Sequence, residues 1–533
     1  MTFRNLAMIN SIVLLLIFSQ IDPWYSVLLT VAQTVFVPFT LHLVLRDHKI
    51  NTPLFCFAIF SSVAIFTLQV TDQSVFDPIL AMIYFGFTMA IALIGLRRFL
   101  HRGFEQLEEG LIDAGLIYLA IGGGWFFAFE VGIDTGFSSI LTWLTAIHFH
   151  YSAFLLPIFV GFLGRLYKPK LYLIIGFLIL VSPIIVALGI TFSPIIEVLS
   201  VILYIIGIYG LIVLTYRTPF HVSLQKWLIR ISFAAVGITI LFSLLYAVGN
   251  STKLFTVTID FMLRFHGITN AVVFASIGII GWYIFLPPTT YKKRSFPISS
   301  LRGGGTIGED FFKGKEDNQH YQGLVDNMAV YEPTIDVATL SPTIKDFYEN
   351  TNQYRLFAEV KWKGWFRPFA AIYRAISRTT RQLNLPLSSK RMEMTGDITS
   401  INDELDGRNE TRAWLRKADG ETVFVALYSY HQTDGKTYMN IALPLPGSTM
   451  VGVLHLKQKG SHLELSSKQA SRTETDPGIY LAIREYLLKL PLEEDFQVKE
   501  IEHGVLQAQH HMKIFTFPFL TINYEIHHDT KMA

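Results

Sequence analysis

Histidine and carboxylate side chains move protons and hold metals near neutral pH. In this chain several of them sit inside or beside long apolar runs. His148 and His150 stand in His-Phe-His-Tyr at 148–151, and His266 stands in Arg-Phe-His-Gly-Ile-Thr-Asn at 264–270. Glu130, Asp134, Glu197 and Asp260 lie near the ends of neighbouring apolar runs. An ionisable group in such a place is a functional suspect by default. Three chemistries compete for it. Histidines can hydrogen-bond across helices and hold a bundle together without reacting. With carboxylates they can relay protons or ions. Alternatively, His148 or His150 joins His266 in binding a metal or a haem, which takes two to four well-oriented donors.

Helical spacing narrows the set. His148 and His150 are about 200° apart on a helix, so they cannot both face one site unless the helix is kinked or unwound. His148 shares its face with Tyr151 and Ser152, and His150 shares its face with Phe154 and Pro157. Pro157 removes a backbone hydrogen bond and predicts a kink there. His266 and Asn270 are four residues apart and share a face; Asp260 and Arg264, also four apart, are spaced for a helical ion pair.

The elements that carry these residues are membrane spans. A spanning helix needs about 20 mostly apolar residues, because the hydrocarbon core is about 30 Å thick. Ten stretches qualify: Leu6–Ile21, Trp24–Leu45, Pro53–Val70, Pro78–Leu96, Leu111–Phe129, Ser138–Leu163, Leu171–Ile190, Pro194–Leu214, Trp227–Val248 and Gly267–Leu286. The first is the shortest, and no small-x-small cleavage site follows it, so it reads as an uncleaved helix. Basic residues favour cytoplasmic loops. They follow the even-numbered spans: Arg46 and Lys49; Arg97, Arg98 and Arg102; Arg165, Lys168 and Lys170; Arg217, Lys226 and Arg230; Lys292, Lys293 and Arg294. Lys253 and Arg264 are the exceptions, near the turn between spans nine and ten. The alternation predicts cytoplasmic N- and C-termini. It sets the polar cluster near the outer leaflet and leaves ordinary basic loops on the inner side.

The two histidine runs, taken with ten-span hydropathy, resemble the YndJ-like family of bacterial membrane proteins. The resemblance mainly covers the membrane half. It implies a bacterial cytoplasmic membrane and marks His148, His150, Tyr151, Arg264, His266 and Asn270, without giving any of them a role.

Residues 1–290 hold 14 Lys+Arg and 12 Asp+Glu, whereas the remaining 243 residues hold 30 and 30. The second half therefore has the composition of a soluble domain. Residues 291–340, with Gly303-Gly304-Gly305 and no sustained period, read as a linker or irregular cover. Over 361–381, Trp362, Trp365, Phe366, Phe369, Tyr373 and Ile376 recur at three- and four-residue spacing. Lys363, Arg367, Arg374, Arg378 and Arg381 take the other face, with no acidic residue in the segment. This is a basic amphipathic helix. It is either an interfacial helix on an anionic inner leaflet or a helix packed on its own sheet. Pro368 fits if the regular helix begins near it.

Beyond it the period changes to two. Asp-Gly pairs at 406–407, 419–420 and 434–435 mark hairpin turns. Strand-like runs lie at 410–418, 421–431, 436–443, 449–457, 462–468, 496–502 and 512–526, and a helix is expected over 478–489. The fold class is thus a polytopic α-helical membrane bundle (1–290) followed by a cytoplasmic α+β domain (341–533) with an antiparallel sheet. Phe424, Val425, Tyr428 and Tyr430 are placed either to line a pocket for a lipid or small apolar ligand or to form plain core. The pairs His510-His511 and His527-His528 point to opposite faces of a strand, which argues against shared metal binding.

The single cysteine, Cys56, excludes an intrachain disulfide and a cysteine-cluster metal site. A net charge of +2 offers no footprint for nucleic acid. No phosphate loop, His-Glu-x-x-His or Gly-x-Ser-x-Gly occurs, and no cofactor or metal is assigned. The leading expectation is a transport or proton/ion relay protein with a polar site near the outer leaflet and a cytoplasmic regulatory or lipid-sensing domain. The alternatives are an intramembrane metal- or haem-dependent enzyme acting on a lipid or quinone, and a membrane-anchored scaffold or sensor.

Overall fold

The computed structural model describes residues 2–46, 52–317, 319–470 and 474–531. Lys49, counted above among the basic loop residues, lies outside them. The chain divides into two compact units: Met1–Phe99 with Gln106–Tyr291, and Leu100–Glu105 with Lys292–Ala533.

Among the described residues ten helices are long and apolar enough to cross a membrane. In order they are Phe3–Gln20, Ser26–Val44, Thr52–Val70, Asp77–Glu105, Leu107–Val131, Ser139–Leu166, Lys170–Phe192, Pro194–Arg217, Ser223–Thr252 and Ile259–Ile284. Side-chain caps start several of them by satisfying free backbone N–H groups. The hydroxyls of Thr2, Ser138 and Thr258 accept from the N–H of Asn5, Leu141 and Phe261 at the first, sixth and tenth.

The sixth span is the axis of the bundle: 89% of its most apolar window is buried, against 72% for the next most enclosed span. Small residues let its neighbours approach, as is usual between helices in lipid. A Cβ at Gly161 would stand 2.5 Å from the carbonyl of Glu108, and one at Gly115 would stand 2.8 Å from the carbonyl of Phe154. Spans five and six therefore pack backbone to backbone.

The second unit is built on thirteen strands: β1 (Tyr354–Trp362), β2 (Met392–Met394), β3 (Ile398–Ser400), β4 (Arg412–Ala418), β5 (Glu421–Thr433), β6 (Lys436–Leu445), β7 (Ser448–Lys459), β8 (His462–Ser466), β9 (Gly478–Ile483), β10 (Tyr486–Lys489), β11 (Leu492–Glu502), β12 (Val505–Ile514) and β13 (Phe517–His528). Their order is β2-β1-β13-β12-β11-β8-β7-β6-β5-β4-β3, with β9 joined to β7 and β10 to β9. Every pairing of named strands is antiparallel. β2 pairs with β1 and β3 pairs with β4, yet only residues 395–397 separate β2 from β3. One kinked run thus joins the two ends of the path. Gly396 makes the kink possible, since a Cβ there would stand 1.7 Å from the carbonyl oxygen of Leu415.

Two of the three Asp-Gly pairs form the expected hairpin turns. Asp419 and Gly420 have φ of 51° and 78°, and Asp434 and Gly435 have 50° and 74°, the left-handed pair that matches strand twist. The third pair instead ends the short helix Asp403–Asp406, with Gly407 as its left-handed cap.

The expected helix over 478–489 is the hairpin β9–β10. Its apolar run Ile-Tyr-Leu-Ala-Ile suits either period, and pairing to β7 settles it. The expected strand 512–526 is two strands, because the chain turns at Phe515 and Thr516, both at positive φ. No Gly, Asn or Asp marks that turn.

Side chains of the stretch 291–340 pack on both faces of the sheet. Phe296, Leu301, Ile307 and Phe311 pack on Val425, Leu427 and Val451, on one face of the sheet. Leu324, Met328, Tyr331 and Ile335 pack into the larger core on the opposite face, with the short helix Pro342–Glu349. Phe424 and Tyr428 belong to that larger core, Val425 to the smaller one, and Tyr430 is partly buried beside the first. The Arg416 guanidinium lies 4.0 Å from the Trp414 ring centre and 3.9 Å from that of Phe424. A cation thus fills the space beside these aromatics.

Candidate functional site

A cavity of ≈ 270 Å³ opens within the membrane unit between the fifth to tenth spans. Its wall is mostly apolar, with His148, His266, Glu197 and Asn270 among its few polar members. His148 lies nine residues into the sixth span and His266 seven into the tenth. At 1.5 Å per residue these are about 14 and 10 Å along their helices from the N-terminal ends.

Backbone irregularity brings the two histidines together. The sixth span turns π-helical over Phe149–Leu155, directly after His148. The tenth is π-helical over Met262–Gly267 and again over Asn270–Ser276. Such bulges re-aim side chains and recur at functional sites. The ring centres of His148 and His266 are 6.3 Å apart, tilted by 45°.

Both rings are held by the same device. His148 Nδ1 lies 2.6 Å from the Leu144 carbonyl, and His266 Nδ1 lies 2.9 Å from the Thr239 carbonyl. A carbonyl only accepts, so Nδ1 carries the proton, and in the neutral ring Nε2 is left as a lone-pair acceptor. The site therefore offers two bases of fixed tautomer. Asn270 is fixed as well, its Oδ1 accepting from the Thr239 hydroxyl at 3.0 Å. Glu197 stands in the first turn of the eighth span, 9% exposed. Among the described residues no side chain hydrogen-bonds to its carboxylate.

The other candidates fall elsewhere. His150 is fully buried and makes two hydrogen bonds, to the Tyr84 hydroxyl and the Ala146 carbonyl. The irregular helix does not turn it to the cavity, which His148 lines and His150 does not. Tyr151 touches the cavity, but its hydroxyl is spent on the Leu28 carbonyl at 2.7 Å. Asp260 and Arg264 form their i,i+4 ion pair at 2.8 Å, exposed, with the guanidinium over Trp24. Asp134 accepts from the Gly136 N–H at 2.9 Å. Neither it nor Glu130 lines the cavity. Among the described residues no three His, Cys, Asp or Glu side chains cluster closely enough to hold a metal ion.

Sequence reasoning missed Thr239 and Ser243, which share a helical face and hold His266. It also missed a buried ionic cluster. Arg165 grips Glu109 with two hydrogen bonds, of 2.6 and 3.0 Å. Arg98 reaches Glu109 at 3.2 Å and Asp113 at 2.7 Å, and Lys168 pairs with Glu108. The three carboxylates are each 1% exposed. Arg98, Arg165 and Lys168 are thus structural partners and not simply loop charges. The signal was the run Glu108-Glu109-x-x-x-Asp113 at the start of an apolar span, where charge survives only if paired.

The family model described as "YndJ-like protein" matches residues 27–274, which include both histidine runs. "Uncharacterized membrane protein YndJ" of Bacillus subtilis (strain 168) is 37% identical over 507 residues, covering 92% of each chain. No solved structure matches. Ten apolar helices and a match that runs through both units make this chain a multi-pass membrane protein that belongs to the YndJ-like family.

Proposed function

We propose that this protein moves a small, largely apolar substrate or its protons through the membrane unit. His148, His266 and Glu197 are the working groups. The reading rests on one observation: two histidines from different spans, one followed by π-helical backbone and the other within it, face one cavity with fixed tautomers. Interrupted helices around a polar site within the membrane are a recurrent design for transport, since they expose polar groups only where a cavity receives them. An apolar wall with a few polar groups suits an amphipathic molecule carrying one hydrogen-bonding or charged end. The Glu197 carboxylate, to which no described side chain hydrogen-bonds, supplies a proton station beside it.

We also propose that the protein lies in the bacterial cytoplasmic membrane with both termini in the cytoplasm. Lys and Arg alternate across the loops in support. The second unit then acts as a cytoplasmic regulatory domain.

The test begins with intact protein purified in mild detergent. Native mass spectrometry is expected to find a co-purified small molecule that is lost from a His148→Ala/His266→Ala variant of unchanged stability. If that variant supported every phenotype of the intact gene, the transport reading would fall.

A further inference from the structure

The helix Arg367–Thr380 turns its large apolar residues away from its own domain. Ala370 and Ser377 are its buried residues, and this narrow stripe of small side chains is enough to seat it on the unit. Phe369, Ile372, Tyr373 and Ile376 are 57%, 66%, 38% and 56% exposed, continuing from Trp365 at 51%. They form one stripe at helical spacing.

The patch extends beyond the helix. Trp365 Nε1 donates to the Pro518 carbonyl at 3.0 Å, and Phe366 packs on Phe519 with ring centres 4.7 Å apart. This ties the helix to the β12–β13 turn, where Phe515 and Phe517 are 57% and 65% exposed. From residue 292 onward the described chain exposes nine large hydrophobic side chains. Seven of them, all but Leu405 and Ile501, belong to this patch. So strong a concentration marks an interaction surface.

Its chemistry indicates the occupant. Residues 361–391 hold eight Lys and Arg and no Asp or Glu. Arg367 and Arg378 are exposed on the side of the helix opposite the apolar stripe, within a helix diameter of about 10 Å. Phe104, in the segment Leu100–Glu105 of this same unit, contacts Phe515 edge-on at 5.7 Å and adds to the patch.

We propose that the helix Arg367–Thr380 and the Phe515–Phe517 turn dock on the anionic surface of the bilayer that the chain itself spans. The apolar stripe enters the headgroup region by about 5–10 Å, the depth of interfacial helices. The arginines lie along the charged surface, where each adds attraction that phosphatidylcholine alone does not provide.

The test uses the full chain in a Cys56→Ser background. A bimane probe is placed by Ile372→Cys, by Ile376→Cys or, as a control outside the patch, by Ile501→Cys. The protein is reconstituted in phosphatidylcholine–phosphatidylglycerol vesicles carrying a headgroup-level nitroxide lipid. Quenching at 372 and 376 is expected to exceed that at 501 by about twofold or more. It should drop toward the control in phosphatidylcholine alone and in Arg367→Glu/Arg378→Glu. Quenching no greater than at 501 would overturn the proposal, as would disulfide formation between two copies at 372 without quenching. Equal quenching with and without phosphatidylglycerol would overturn the anionic surface as the occupant.

Discussion

The Tyr84 hydroxyl and His150 Nε2 lie 2.6 Å apart in the fully enclosed part of the bundle. Because His150 Nδ1 is already committed to the Ala146 carbonyl, Tyr84 must donate and His150 accept. This makes His150 a packing residue, distinct in duty from His148 two positions earlier. Tyr84→Phe leaves a buried acceptor unpaired and is expected to cost about 1–3 kcal/mol. Equilibrium unfolding in mixed micelles would measure it, with retention of any cavity ligand unchanged. A loss of ligand without loss of stability would contradict the assignment.

The Arg98–Glu109–Arg165 cluster leads to a second prediction. Removing one partner of a buried ionic group costs about 3–5 kcal/mol, whereas replacing partners together by apolar side chains costs far less. Glu109→Leu is therefore expected to destabilise strongly. The Glu109→Leu/Arg165→Met pair should be milder than the sum of its single changes, and a double-mutant cycle by unfolding would reveal the difference. Strict additivity would mean that the contact carries no coupling.

Lys489 gives a pH dependence. Burial lowers its pKa to about 8, Glu105 acts against that shift, and Arg294 adds to it. Between about 8 and the usual lysine value the unfolded chain binds more protons than the folded one, so stability rises with pH across that window. Below it the cost of burying the ammonium is fully present. Following the β-sheet infrared band during thermal unfolding from pH 7.5 to 10 should show this rise in the wild type. The rise should be smaller in Lys489→Met; equal slopes would count against the shift.

Two imidazoles alone make a poor metal site. Protein purified from medium containing zinc and iron is expected to hold well under one equivalent of either and to show no haem absorption. A stoichiometric metal that disappears in His148→Ala/His266→Ala would make these histidines ligands and bring the enzyme reading forward.

The spans were legible because a bilayer imposes a length and an apolarity that composition alone reveals. The hairpins at Asp419-Gly420 and Asp434-Gly435 were legible because the left-handed region selects those residue types. The turn at Phe515-Thr516 was not, since neither residue is a usual choice for positive φ. Segment 296–340 left linker and cover open because irregular backbone has no period; Phe296, Phe311 and Tyr331 are buried core residues. Helical spacing sets His148 and His150 on different faces. It had no means of matching His148 to His266, because that pairing depends on extra π-helical residues that an ideal helix lacks. The role of Arg165 was hidden for another reason: a charge near a loop looks alike whether it meets water or a buried glutamate.

The kinked run that links β1 to β4 also bears on what the second unit can bind. Most of its ladder bonds are used internally, and β10, with four residues, is a short flank. A sheet of this kind gives another chain little backbone to pair with, which protects it from templated aggregation. Recognition by strand addition is thereby discouraged, and partners must be met through side chains on the outside of the fold.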